Sequence, residues 1–242
     1  NASPSNWNVA QGGLPLFISG TSKPIISPPA VTFHQKGGQL ILFGTGKYLE
    51  TADTTNTDTQ TMYGIWDYNT SGTLPADSLV QQITSMTTGS NHRTTTQNLV
   101  NYSATVKGWY MDLPISGERL TAIPEIQDGL FRFTTIVPSA SPCDFGGRGF
   151  LNIVNFSTGG MLTRPTFDTN GNRVLSLDDG YSSGIEIGFA MGGVTSIRNS
   201  SIGATSYFAV YSRADGTANN PPVSPGAQGK RGRITWREFS QE

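Results

Sequence analysis

The sequence is poor in charge, cysteine, histidine and long apolar runs, and each shortage excludes something. Asp, Glu, Lys and Arg make up 14% of the 242 residues, against about 25% in an average globular protein. The net charge is -1, so no global field draws the chain to nucleic acid or to an anionic membrane. One cysteine, Cys143, excludes an internal disulfide. It reads as a buried, inert thiol or as a thiol whose partner lies on another segment. No run approaches the ~18–20 apolar residues of a transmembrane segment, and no signal peptide is visible. The chain opens on Asn1 rather than Met, as expected of a portion of something longer. The two histidines, His34 and His92, fall in a turn and a polar loop. No G-x-S-x-G or H-E-x-x-H occurs, so catalysis has little support. No helix of ten or more residues is convincing.

What is present is glycine (29), proline (14) and abundant Thr and Ser. That is the composition of many short strands joined by turns. Ala30 to Phe33 alternates, Lys36-Gly37-Gly38 turns, and Leu40 to Phe43 is apolar, so residues 29 to 44 read as a β-hairpin. Met62 to Trp66 is the next strand. Between them lies a polar insertion, Glu50 to Gln60, longer than the ~2–5 residues a hairpin needs. Asp77 to Met86 fits a strand better than a capped helix. Asn91 to Asn98 reads as a polar loop, Leu99 to Val106 alternates weakly, and Gly117-Glu118-Arg119 turns into Leu120 to Ile123. Leu130 to Val137 alternates strictly and is a strand. Gly184 to Phe189, Val194 to Ile197 and Tyr207 to Tyr211 are short Gly-flanked strands. The strand-break-turn pattern of Met62 to Gly72 returns at Leu151 to Gly159, roughly twice the ~40–45-residue period of a propeller blade, or by chance.

Several motifs occur in a fixed order. Phe43-Gly44-Thr45-Gly46-Lys47-Tyr48-Leu49 precedes Gln60-Thr61-Met62-Tyr63-Gly64-Ile65-Trp66-Asp67. Leu79-Val80-Gln81-Gln82, the block Lys107 to Pro114, Gly117-Glu118-Arg119, Phe133 to Pro138, and Cys143 before Gly146-Gly147 follow. Gly232 to Phe239 closes the chain. The set resembles the C-terminal region of the PilC/PilY family of type IV pilus-tip adhesin and assembly proteins, over most of the chain. The resemblance implies an all-β fold, a partial or modified β-propeller-like domain with long polar loops. Residues 1–242 would form a single β domain, the C-terminal part of a longer pilus-tip protein. It further implies a non-enzymatic module, extracellular at the pilus tip on the bacterial surface. That module supports pilus assembly, opposes retraction and serves adhesion. The implied partners are minor pilins, a host-cell receptor and the N-terminal region of the same protein, with no nucleic acid. Two alternatives stay open: an adhesive domain gripping a host protein or glycan directly, and a quinoprotein-like or hydrolase-type propeller enzyme.

The metal candidate is Asp168, Asn170, Asn172, Val174 and Asp179. Oxygens at positions 1, 3 and 5, a backbone carbonyl at 7 and a carboxylate at 12 are the spacing of a calcium loop. The resembling family carries a D-x-N-G-D-G loop in this region. Here Asn172 stands for Asp and Arg173 for the turn glycine, and position twelve is Asp rather than Glu. The competing reading is an Asn-Gly turn. Asp53, Asn56 and Asp58 lack ligand spacing and read as a solvated loop. Gly44-Thr45-Gly46 lacks the helix a phosphate loop needs and reads as a strand-end turn. Lys230, Arg231, Arg233 and Arg237 read as a solvated tail, and Arg213-Ala214-Asp215 is not an integrin-type tripeptide. Trp66, Trp109, Tyr110 and Trp236 read as packing residues or, where exposed, as anchors for a protein or glycan partner.

Overall fold

A computed structural model of the chain describes residues 10–139, 141, 147–189, 195–198, 207–212, 218–219 and 221–224. Cys143, Val194, Arg213-Ala214-Asp215, Trp236 and the basic tail lie outside the described residues. Among those described, helical structure is limited to 3-10 turns of three or four residues, and the rest is strand and loop.

Ala30–Phe33 (β1) and Gln39–Gly44 (β2) form the expected hairpin, and Thr61–Asp67 (β3) follows antiparallel to β2. Leu79–Met86 (β4) and His92–Thr95 (β5) come next, then Gly108–Asp112 (β6) and the short Arg119–Leu120 (β7). Glu125–Gln127 (β8), Leu130–Pro138 (β9), Gly147–Asn155 (β10) and Gly184–Glu186 (β11) complete an eleven-stranded sheet. Its order is β1-β2-β3-β6-β4-β5-β11-β10-β9-β7, with β8 also on β9. Two four-stranded antiparallel sets, β1-β2-β3-β6 and β5-β11-β10-β9, are therefore bridged by β4, which runs parallel to β6 and antiparallel to β5. The chain is all-β, and its blade-like sets are fused into one curled sheet. Thr195–Arg198 (β12), Tyr207–Ser212 (β13), Ala218–Asn219 (β14) and Pro222–Val223 (β15) form a second, small sheet.

The sequence forms this core through strands buried on both faces. In β3, Met62 and Trp66 point into the main cluster with Leu40, Leu42, Trp109 and Phe131. The alternate residues Tyr63 and Ile65 join Phe43, Leu74 and Leu79 on the other side. This is the two-residue period of a pleated strand with apolar partners on each side. Leu151, Ile153, Phe167, Ala209 and Val223 make a third cluster, which holds the small sheet against β10.

Trp109 is fully buried in the main cluster. A Cβ on Gly64 would lie 2.4 Å from its Nε1, and one on Gly159 would lie 2.3 Å from its Cε3. The indole N–H donates to Phe156 O at 3.1 Å. Gly64 of the Tyr63-Gly64-Ile65 motif and Gly159 of the second strand-break-turn pattern therefore make room for one side chain.

Three expectations change. Asn91 to Asn98 contains a strand, β5. Its inward residues, Arg93 and Thr95, are polar yet buried, so no apolar alternation announces it. Hydroxyls satisfy Thr95 in series: Thr84 Oγ1 to Thr95 Oγ1 at 2.8 Å, and Thr95 Oγ1 to Ser183 Oγ at 2.8 Å. Leu99 to Val106 forms no strand, and Val100, Tyr102 and the partly buried Val106 anchor it to the main cluster. The segment after Glu118 is paired over Arg119–Leu120 alone. Gly64→Ala is expected to destabilise the chain by about 2–3 kcal/mol, the cost of overpacking a rigid contact. Urea unfolding followed by far-UV circular dichroism reads this as a lower midpoint at unchanged slope.

Candidate functional site

The long polar insertion between β2 and β3 is gripped from outside mainly by Arg119. Gly44-Thr45-Gly46 ends β2, and Thr45 exchanges backbone hydrogen bonds with Thr61 and Leu120. Thr61 N also donates to Thr45 Oγ1 at 2.9 Å. Gly46 sits at φ 121, and a Cβ there would lie 2.3 Å from Arg119 Cβ. Arg119 uses this close approach to reach the insertion. Its Nε donates to Gly117 O at 2.8 Å, Nη1 to Lys47 O at 2.8 Å and Asp53 O at 2.9 Å, and Nη2 to Asn56 O at 2.7 Å. Burial lowers the Arg119 pKa from its ordinary value. This clamp explains a loop much longer than a hairpin requires.

Asp53 corrects the reading of a solvated acidic loop, for it is 3% exposed. Its Oδ2 accepts from Leu49 N at 2.8 Å and Glu50 N at 3.0 Å, and Lys47 Nζ lies 3.4 Å from Oδ1. The Leu49 amide, then the Glu50 amide and Lys47, hold its carboxyl below the usual carboxylate range. Asn56 is half-buried and Asp58 exposed. A cleft of about 210 Å³ opens beside them, lined by Lys47, Asp53, Asn56, Gln60 and Arg119. Lys47, Asp53 and Arg119 are committed to one another or to backbone, and the exposed Asp58 accepts from the Asn56 amide, which suits a clamp rather than a reacting centre.

On the other side of Arg119, Glu118 and Arg93 form a fully buried ion pair, Nη1 to Oε1 at 2.8 Å and Nη2 to Oε2 at 3.4 Å. The Arg93 guanidinium carbon lies 3.7 Å from the Phe150 ring centroid, close enough for a cation–π contact. Asn152 Oδ1 also accepts from Nη1 at 3.4 Å, and Thr135 Oγ1 donates to Glu118 Oε1. Sequence reading missed this network. The one signal was the Gly117-Glu118-Arg119 block, where two charges stand side by side.

The Asp168 loop keeps the spacing of its expected metal set as local hydrogen bonds. Asp168 accepts from Gly171 N (2.8 Å) and Arg173 N (2.7 Å), Asn170 from Asn172 N (3.0 Å), and Asn172 from Val174 N (2.7 Å). Arg173 stands at φ 64, where a calcium loop has its glycine. Asp179 is buried; its Oδ1 accepts from Thr169 N at 2.9 Å and its Oδ2 from Ser176 N at 2.8 Å. The backbone path therefore fits a calcium loop. The donor set is poor in charge, with two carboxylates that both brace loop amides. Among the described residues no group of three or more His, Cys, Asp or Glu is placed to hold a metal. His34 is buried, with its ring 4.8 Å from that of Trp66 and 4.3 Å from that of Tyr102, while His92 lies in β5.

Comparison with known proteins follows the same outline. A family model described as the PilY1 beta-propeller domain matches residues 3–104. A type IV pilus biogenesis factor PilY1 homolog of Xylella fastidiosa is 31% identical over 189 residues, 70% of this chain and 13% of the relative. The type IV pilus biogenesis factor PilY1 of Pseudomonas aeruginosa is 30% identical over 213 residues, 74% of this chain and 18% of the relative. The chain thus spans less than a fifth of either relative's length. The crystal structure of the Pseudomonas aeruginosa PilY1 C-terminal domain superposes with a TM-score of 0.70 at 25% identity, over 89% of this chain and 49% of that one.

Arg119→Met, which keeps the stem and deletes the donors, should cost about 2–4 kcal/mol by leaving buried carbonyls unpaired. Limited proteolysis should then cut between Thr51 and Gln60 well below the unfolding temperature, a site protected in the parent chain.

Proposed function

From the premise that this chain belongs to the PilY1 family, as a region matching its C-terminal domain, we propose that it is a non-enzymatic docking module of a type IV pilus biogenesis factor. In this reading the parent protein acts outside the cell at the pilus tip, and this module seats it on the minor pilins. Supporting assembly, opposing retraction and presenting an adhesive surface follow from that position. The signature residues favour the reading, because Gly44, Gly46, Gly64, Trp109 and Arg119 serve close packing and a loop clamp.

The observation that carries the docking reading is β1. It is the outer strand of the large sheet and pairs only with β2 among the described residues. An unpaired edge is a template for a partner strand unless charge or proline blunts it. Ala30–Phe33 carries neither, and Val31 and Phe33 stand 51% and 84% exposed on one face. A partner pilin strand would add along β1 and cover that apolar pair. Biolayer interferometry with purified minor pilins tests this. Phe33→Asp should raise the dissociation constant at least tenfold, about 1.4 kcal/mol, with the melting temperature unchanged. Undiminished binding by that variant would remove β1 as the docking strip.

Calcium at Asp168, Asn170, Asn172, Val174 and Asp179 is part of the same proposal, supported by the loop's backbone path. The ion would tie the loop's ends together, with affinity toward the millimolar end for so few charges. Arg173→Gly removes a left-handed non-glycine residue. It should stabilise the chain by about 1 kcal/mol without metal and raise calcium affinity in isothermal titration calorimetry. A destabilised variant with no calcium heat would contradict both statements.

A further inference from the structure

A second surface, away from the β1 strip in its chemistry, is an open groove of about 690 Å³. It lies between the β1–β2 turn, the segment after β3 and the loop before β6. Its floor is aromatic. Tyr68 stacks on Trp66 with ring centroids 5.3 Å apart and planes at 16°, and Tyr102 meets Trp66 edge-on at 5.5 Å. Trp66 Nε1 donates to Gly37 O at 2.8 Å, and Tyr102 Oη donates to Ser157 O at 2.6 Å. Trp66 and Tyr102 are buried, whereas Tyr68 is 40% exposed. Gly37 and Gly38 press on Tyr68 from the turn, where an added Cβ would meet it at 3.2 and 2.8 Å. The ring is thus a preset platform whose orientation is fixed before any ligand arrives.

The rim differs from the floor. Asn69, Ser71 and Ser103 supply an amide and hydroxyls along the groove. Lys107 Nζ stands 4.9 Å from the Trp66 ring centroid, and Lys36 Nζ donates to Tyr102 O at 2.6 Å. Among the described residues no carboxylate lines the groove. We propose that this groove is a binding site for an acidic sugar, whose ring lies on Tyr68 and whose carboxylate meets Lys36 and Lys107. A pyranose offers an apolar C–H face and a hydroxyl rim, the complement of an aromatic floor edged by hydroxyls and an amide. Two ammonium groups with no lining acid select for negative charge. An acidic peptide fits less well, because no lining residue lies on an unpaired strand edge that would supply main-chain bonds.

Saturation-transfer NMR and titration of the full chain with sialyllactose, lactose and a hexaglutamate peptide test the assignment. Sialyllactose is expected to bind saturably, at least fivefold more tightly than lactose, with hexaglutamate inert. Tyr68→Ala should weaken sialyllactose at least tenfold. The Lys36→Gln/Lys107→Gln pair should bring it down to the lactose value and keeps the test valid if the tyrosine variant fails to fold. Equal binding of the two sugars, no sugar binding, or preference for hexaglutamate would overturn the proposal. Phe33→Asp should leave sugar binding intact and Tyr68→Ala should leave minor-pilin binding intact, so the two surfaces fail separately.

Discussion

Two adjacent charged residues, Glu118 and Arg119, are buried with their heads directed to different parts of the fold. Neighbouring residues of an extended chain point to opposite sides. Glu118 therefore reaches Arg93 of β5 and Thr135 of β9, while Arg119 reaches the carbonyls of the insertion between β2 and β3. Burying ions is costly unless each is paired and its remaining hydrogen-bonding groups are satisfied. Glu118, the partner of Arg93, and the carbonyls that receive Arg119 come within reach only if β5, β9 and the insertion are in place together, and Arg93 Nε is left without a partner among the described residues. A buried pair of this kind is a weak source of net stability, yet removing one partner strands the other, at about 3–5 kcal/mol. The dipeptide thus adds a polar coupling between the β1-β2-β3-β6 set and the β5-β11-β10-β9 set, which β4 bridges and the main apolar cluster also joins.

The legible parts of the fold were strands with apolar runs, buried in β2, β3 and β9 and exposed at Val31 and Phe33 in β1. β1, β2, β3 and β9 show period-two or continuous apolar runs, and the hairpin turn at Gly37-Gly38 is written in glycine. β5 was missed because its buried residues are Arg93 and Thr95, satisfied by partners far along the chain such as Glu118 and Ser183. Local composition carries no trace of such partners. Asp53 looked solvated for the same reason: its acceptors are filled by amides of Leu49 and Glu50, which the sequence leaves unmarked. The Asp168 loop was located by spacing, and its Asx turns follow that spacing. Whether the spacing serves calcium is a matter of charge, where Asn172 and Arg173 depart from a strong site.

The family motifs and the proposed working surfaces overlap only in part, with Trp66 common to both. The motifs that identify the family, from Phe43 to Leu49 and from Gln60 to Asp67, include glycines that cannot take a larger side chain without a clash. Gly44, Gly46 and Gly64 each leave too little room for a methyl group. The proposed working surfaces, the β1 edge with Phe33 and the groove with Tyr68, sit at the margins of that same block. This arrangement lets partner and ligand chemistry change while the packing signature persists.

Native-state hydrogen exchange of the parent chain and of Glu118→Gln tests the coupling most directly. If the Glu118–Arg119 dipeptide joins the two strand sets, amides of β3 and of β9 and β10 exchange with one common opening free energy. The substitution then lowers that value in both sets by the same amount. Loss of protection confined to β5, β9 and β10, with β2 and β3 unchanged, would show that the sets open independently and would contradict the account.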